Sequence, residues 1–393
     1  MKKIFALLLS LCMVLSLCAC GGAKEEPKAE EPKAEAPVEA PVEEAPVEET
    51  PVEEPEAAMA VAMITDYGDI TDQSFNQTTY EACKEYCEAN GIEFKYYKPA
   101  SDSDDDRVAM IEMAIDEGFT VIVTPGYAFA NALKATAPEY DDVTFIALDV
   151  GEGDFGDFQL PQNLYSAVYQ EELCGYMAGY AAVKLGYEKL GFLGGMAVPA
   201  VVRYGFGFVQ GADAAAAELE KNIEMNYAYG NQFFGDADIT AAMDTWYEAG
   251  TEVVFACGGG IYTSAAEAAA KVDGKVIGVD VDQSFNIDGA YGEGMTVTSA
   301  MKGLAPTVKT MLAKVQAGEF VGGKIESLGL VSEKSEENYV QIPATTQFDD
   351  NFTAEDYAAL VAAMFKGEVT VSNAIDAMPE VTNTTVNDLG NLK

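Results

Sequence analysis

The chain has 393 residues and a formal net charge of −42, with 65 acidic side chains against 23 basic ones and no histidine. So acidic a chain argues against nucleic acid, an anionic membrane surface or a strongly anionic ligand as partners. The lack of imidazole removes Ser-His-Asp and Cys-His catalysis, histidine general bases and the common His-containing zinc sites. An enzyme working through carboxylates alone stays open, but the expectation is no catalysis, no metal and no cofactor.

Lys2 and Lys3 precede the apolar run Ile4 to Leu17, which is shorter than the roughly 20 residues of a membrane span. Small residues follow, so residues 1–19 read as an export signal. Leu17-Cys18-Ala19-Cys20 resembles a bacterial lipobox, which makes Cys20 the acylated first residue of the mature chain. The expected location is therefore the extracytoplasmic face of the cell membrane, held by lipid. Residues 24–58 are almost wholly Glu, Pro, Ala, Val and Lys, and thirteen Glu against three Lys leave them at −10. Such a stretch buries no core, so 20–58 is expected to be a lipidated cysteine and a disordered acidic linker.

The remaining 59–393 is long enough for two domains. Strands are predicted at Ala60–Thr65, Glu93–Tyr97, Val121–Pro125, Phe145–Asp149, Lys189–Leu193, Glu224–Tyr229, Val253–Cys257 and Lys275–Asp280. Helices are predicted between them, at Phe75–Asn90, Asp105–Glu117, Ala130–Ala137, Glu171–Leu185, Ala200–Glu220, Ile239–Ala249 and Tyr262–Lys271, and then at Ala300–Ala317. This alternation means parallel sheets, and the strands fall into two series that end at Asp149 and Asp280. Residues 150–170 have weak periodicity and look like a crossing between the halves. The fold class is thus α/β: two doubly wound domains joined by a multi-crossover hinge, with a cleft where the strand ends meet. Cys83 and Cys87, four apart on a predicted helix, read as small apolar residues of one face rather than half of a metal site.

The strand ends bring together carboxylates, an amide, aromatics and glycines: Asp66 with Asp72 to Asn76, Tyr127, Asp149, Gly194-Gly195, the Gly258 run, and Asp280 with Gln283. That set suits a neutral, flat, hydroxylated ligand. Asp72 reads equally as a helix cap, and the glycines as tight turns. No GxxxxGK[ST] is present to cradle a phosphate. Asp149 and Asp280 are harder to explain as scaffold, because a carboxylate ending an apolar strand is costly unless it is paired or faces a cleft. Asp-Gln-Ser-Phe-Asn occurs twice, at 72–76 and at 282–286.

Thr65-Asp66-Tyr67-Gly68 followed by Asp72-Gln73-Ser74-Phe75-Asn76-Gln77 resembles the opening signature of the basic membrane protein family, the substrate-binding lipoproteins of nucleoside ABC importers. Glu172-Leu173-Cys174-Gly175-Tyr176-Met177-Ala178-Gly179, Gly194-Gly195-Met196-Ala197-Val198-Pro199 with Gly207, Phe208 and Gly211, Gly278-Val279-Asp280-Val281-Asp282-Gln283, and Thr298-Ser299-Ala300-Met301-Lys302 are similar to later elements of that family. The resemblance implies a type I periplasmic-binding fold closing on a purine nucleoside. It implies that Phe75 and Tyr204 sandwich the base, that Asn76, Asp149 and Asp66 line its side, and that Asp280 grips the ribose with help from Lys302 and the backbone of Gly258. Tyr204 stands where the family usually has Phe, and Asp69 where many relatives have Gly. Partners so implied are the small-molecule ligand and ABC permease and ATPase subunits, with the protein itself a monomer.

The lobes are expected at 59–165 plus about 297–325, and at 166–296, with 326–393 unassigned between them. Alternatives are a riboflavin-like heterocycle with a polyol tail, a ligand-sensing surface lipoprotein, and a nucleoside hydrolase or phosphorylase. The acidic run Asp102 to Asp106 bears on the last, but it precedes a helix and reads as its cap.

Overall fold

A computed structural model describes residues 58–66 and 68–393 of the chain; the expected signal, Cys20 and nearly all of the acidic linker lie outside the described residues. In chain order the first part comprises β1 (Ala60–Ile64), α1 (Phe75–Asn90), β2 (Glu93–Tyr97), α2 (Asp104–Asp116), β3 (Val121–Pro125), α3 (Ala130–Thr136), β4 (Thr144–Leu148), α4 (Glu152–Phe155) and β5 (Leu164–Tyr169). Then come α5 (Glu171–Lys184), β6 (Lys189–Gly194), α6 (Pro199–Glu218), β7 (Ile223–Tyr229), α7 (Ala237–Glu248), β8 (Val253–Cys257), α8 (Tyr262–Ala269), β9 (Lys275–Asp280), α9 (Ser284–Tyr291) and β10 (Thr296–Lys302). The chain ends with α10 (Leu304–Gln316), β11 (Lys324–Leu328), β12 (Val340–Gln341), α11 (Ala354–Phe365) and β13 (Thr384–Asn391).

These strands build two sheets, ordered β11-β5-β4-β3-β1-β2 and β12-β10-β9-β8-β6-β7-β13. Every pairing is parallel except β10 with β12. The inner strands β1, β3 and β8 are buried along their whole length, as parallel strands covered on both faces must be. This is the doubly wound α/β arrangement the alternation implied.

The chain passes between the sheets three times, after β5, after β10 and after β11. The crossing segments are bonded to one another: Gln170 N donates to Leu328 O at 2.9 Å, Tyr339 N to Gly329 O at 3.0 Å, and Gly303 N to Tyr339 O at 2.7 Å. They form a laced hinge.

Five strands were not legible in the sequence. Residues 164–169, expected within an irregular crossing, are an inner strand whose Ser166 hydroxyl is satisfied by Val150 O at 2.7 Å and whose Tyr165 hydroxyl donates to Glu326 at 2.8 Å. Residues 300–302, expected to open a helix, end β10 instead, and the helix starts at Leu304. The expected return of 297–325 to the first lobe is therefore divided. Residues 296–302 sit inside the second sheet, and 324–328 form the edge of the first. The segment left unassigned supplies β12 and β13 to the second sheet. Cys83 and Cys87 are fully buried in the core, and both are free thiols.

Candidate functional site

The strand ends of the two sheets face a cavity of about 640 Å³. All nine residues singled out as ligand contacts line it: Asp66, Phe75, Asn76, Tyr127, Asp149, Tyr204, Gly258, Asp280 and Lys302. Asp149 follows β4 and Asp280 ends β9, and both have left-handed backbone, with φ of 60° and 65°. Non-glycine residues hold that conformation only where the surroundings impose it, and such positions cluster at functional sites. The matching carboxylates of the two halves are therefore matched in backbone as well.

Between them stands the ammonium of Lys302, at the end of β10, with its side chain only 3% exposed. It donates to Asp149 Oδ2 at 2.5 Å and lies 3.6 Å from both Glu171 Oε1 and Asp280 Oδ1. Three rings enclose its other side, with centroids 4.7 Å away for Phe75, 5.5 Å for Tyr169 and 5.7 Å for Tyr204. Burial opposes the charge on Lys302, but the carboxylates of Asp149, Asp280 and Glu171 hold its ammonium well above the usual lysine range. Burial pushes the Asp149 carboxyl up to about 6 even though Lys302 pulls it down. Asp149 Oδ1 is buried without a hydrogen-bond partner.

Asp280 is held from both halves. Tyr204 OH donates to its Oδ1 at 3.2 Å, and Ser74 Oγ to its Oδ2 at 2.7 Å. Tyr204 is thus a buried residue whose hydroxyl is tied to the carboxylate, with its ring edge-on to Phe255 at 6.0 Å.

Asp66 closes the far side. Gly68 N donates to its Oδ1 at 2.5 Å, and burial, only partly offset by that bond, raises its carboxyl to about 6. Asn76 lies beside it, 5% exposed, with Nδ2 on Asp72 at 3.2 Å and Oδ1 lacking a partner. Asp72 also lines the cavity, but its carboxylate takes the backbone N–H groups of Ser74, Asn76 and Gln77 at 2.9, 2.9 and 3.0 Å. It performs the capping role allowed from sequence. Tyr127 bridges the halves with its hydroxyl 3.9 Å from Met196 Sδ. Gly258 has φ of 148°, and a Cβ there would meet Phe233 at 2.9 Å, so the turn itself requires glycine.

Sequence reasoning missed Glu171, Glu172, Arg203, Tyr169 and Phe233. Glu172, Arg203, Tyr169 and Phe233 line the cavity. Arg203 Nε donates to Glu171 Oε2 at 2.7 Å and lies 4.0 Å from Glu172 Oε2. Burial raises the Glu172 carboxyl to about 7. A signal was present in the adjacent glutamates that open an otherwise apolar helix. Glycines bring the two helices together: a Cβ on Gly175, Gly179, Gly207 or Gly211 would fall 2.0–2.2 Å from a backbone oxygen of the facing helix. Small residues spaced four apart let α5 and α6 meet backbone to backbone, and that contact sets Glu172 beside Arg203 and Tyr204.

The site so built offers buried carboxylates, one buried ammonium and aromatic faces. Such a set can accept hydrogen bonds from hydroxyls and ring N–H groups and pack against a flat ring. Among the described residues, no group of three or more His, Cys, Asp or Glu side chains is placed to hold a metal ion, and no helix is long and apolar enough to cross a membrane.

A family model described as ABC transporter substrate-binding protein PnrA-like matches residues 59–359. An ABC transporter nucleoside-binding protein, BmpA, of Lactococcus lactis subsp. cremoris is 28% identical over 290 residues, which cover 69% of this chain and 79% of that protein. Basic membrane protein B of Borreliella burgdorferi is 28% identical over 299 residues, covering 74% and 82%. Among solved structures, the ABC transporter solute-binding protein of Aeropyrum pernix superposes with a TM-score of 0.62 at 21% identity, covering 79% of this chain and 87% of that one. At that identity it speaks to the fold, which is that of a type I periplasmic-binding protein.

Proposed function

From the premise that the chain belongs to the family of PnrA-like ABC transporter substrate-binding proteins, we propose that it captures a purine nucleoside in the cleft and delivers it to an ABC permease. In this proposal it works as a monomer outside the cell, anchored by lipid at Cys20. The carrying observation is the pair formed by Asp280 and Lys302. A carboxylate in left-handed backbone sits at a strand end, its Oδ1 3.6 Å from a buried ammonium that also binds Asp149. Vicinal hydroxyls bind bidentately to such a carboxylate, and the ammonium offsets the cost of burying it. The partnerless Oδ1 atoms of Asn76 and Asp149 are acceptors for donors on a base, and Phe75 supplies an apolar face. The name of the Lactococcus relative, a nucleoside-binding protein, supports the same ligand class.

Calorimetric titration of ligand-stripped protein with inosine tests this. Saturable one-to-one binding at micromolar affinity or tighter is expected. A folded protein that takes up no nucleoside refutes it. A cavity of about 640 Å³ also admits a larger flat heterocycle, so riboflavin belongs in the same panel.

A further inference from the structure

The family match ends at residue 359, yet Asn373 and Ile375 line the cleft. They belong to the segment between α11 and β13, and that segment is fastened at both ends to α6. At one end the side-chain amide of Gln210 binds the backbone of Ser372 twice: Nε2 donates to Ser372 O at 3.0 Å, and Ser372 N donates to Oε1 at 2.9 Å. At the other, Asp213 Oδ1 accepts from Thr382 N at 3.2 Å and Asn383 N at 2.7 Å, after which β13 pairs in parallel with β7. Gln210 lies two turns beyond Arg203 on the same face of α6, and Arg203 itself lines the cleft. The first fastening therefore starts the segment along the face that leads into the site.

The segment divides its apolar side chains by task. Val369, Val371, Met378 and Val381 pack against the core, whereas Ile375 is 41% exposed and lines the cavity. A lone exposed isoleucine is ordinary. This one lies between two fastenings, with its packing neighbours turned inward and its own side chain at the mouth of a ligand cleft.

We propose that residues 366–383 form a strap across the rim of the cleft, and that Ile375 and Asn373 are further ligand contacts, touching the uncharged outer end of the bound molecule and slowing its release. This rests on the cleft reading above. The strap itself offers an aliphatic side chain and an amide, which suit an uncharged group, and the Glu152 and Asp154 carboxylates in the same lining disfavour an anionic one. The strap lies outside the residues that the family model matches.

The test is the ligand release rate of the full chain purified in detergent, followed by intrinsic fluorescence after rapid dilution, for wild type, Ile375→Ala, Ile375→Asp and Asn373→Ala. Inosine is the first probe. Release three- to tenfold faster in Ile375→Ala, and faster still in Ile375→Asp, is expected, with little change in thermal midpoint because both side chains are exposed. Equal rates in all four proteins overturn the strap. A wild type that binds no inosine overturns the nucleoside reading instead. The same ratio of rates is then measured on the molecule that co-purifies with the protein, and equality there again overturns the strap.

Discussion

Ser74 donates its hydroxyl proton to Asp280 Oδ2 at 2.7 Å, joining the start of α1 beside the first sheet to the end of β9 in the second. Gln283 Nε2 reaches back to Gln73 O at 3.1 Å. These four residues come from the two copies of Asp-Gln-Ser-Phe-Asn and the strand end beside the second copy, so the repeated sequence is one place where the halves touch. Bonds that exist only when the halves meet favour the closed arrangement, and a ligand that requires closure gains what they contribute. Ser74→Ala is expected to weaken nucleoside binding by about 1.5–3 kcal/mol, the net worth of a hydrogen bond to a charged group. Calorimetry would read this as a Kd roughly ten- to 150-fold higher. An unchanged Kd shows that the bond does not support the ligand-bearing state.

Asp280→Ala removes the carboxylate itself. Lys302 keeps Asp149 and Glu171 as partners, so the fold survives while ligand hydroxyls lose a charged acceptor. A loss of about 2–5 kcal/mol in binding is expected. Asp280→Asn, which retains the shape and one acceptor, is expected to fall between. Equal affinity for the alanine variant and wild type sinks the ribose assignment.

Lys302→Met strikes stability before binding. It leaves Asp149, Glu171 and Asp280 facing one another without the ammonium, and a buried charge stripped of its partner costs about 3–5 kcal/mol. Urea unfolding is expected to show a lower midpoint at pH 7.5, with part of the loss recovered at pH 5 as Asp149 takes up a proton. A midpoint that does not move means that the Lys302 ammonium does not offset the burial of its acidic neighbours.

The strands that position most of the site were legible because β1, β3, β4, β8 and β9 are short aliphatic runs ended by Asp, Gly or Pro. β10 was hidden for the opposite reason. Thr296, Thr298 and Ser299 in β10 are polar residues buried in the sheet, where hydroxyls such as Thr298 Oγ1, 2.7 Å from Thr346 Oγ1, are satisfied by tertiary partners absent from any local window. β13 is an exposed edge strand with no apolar face to betray it. Within the site, residues at strand ends were found, and those carried by the α5–α6 crossing were not. Glu172 and Arg203 come together only because glycines on both helices let the backbones meet, a relation between segments some thirty residues apart that spacing along the chain does not express.

The pH profile of stability follows from four raised carboxyls: Asp66 and Asp149 at about 6, Glu172 at about 7, and Asp72, pushed up by burial. Each is raised above its unfolded value, so the folded state binds more protons than the unfolded chain between roughly pH 4 and 7. Stability from these groups therefore rises as pH falls through that window. Below it, Asp236, held at about 2 by backbone N–H groups and Lys393, loses its contribution as it protonates. Urea midpoints for wild type are expected to increase from pH 8 to pH 5. Glu172→Gln removes the group with the highest value, so its slope between pH 5 and 7 should be shallower. Parallel profiles would mean that Glu172 is not protonated on folding in that range.

The α5–α6 crossing makes the sharpest stability prediction. A Cβ on Gly211 would lie 2.0 Å from Tyr176 O and one on Gly207 2.1 Å from Glu172 O, and backbone atoms cannot rotate away as a side chain tip can. Gly211→Ala must push the helices apart or shift one along the other, at a cost of about 3 kcal/mol or more, the upper end of overpacking penalties. Gly207→Ala acts where the crossing holds Glu172 and Tyr204, so it should also weaken ligand binding in whatever fraction stays folded. Gly153→Ala is the control: its added carbon meets nothing within 4 Å, and its stability should stay within about 0.5 kcal/mol of wild type. If Gly207→Ala and Gly211→Ala unfold at the same urea concentration as Gly153→Ala, the two helices do not meet backbone to backbone, and the placement of Glu172 beside Arg203 falls with that contact.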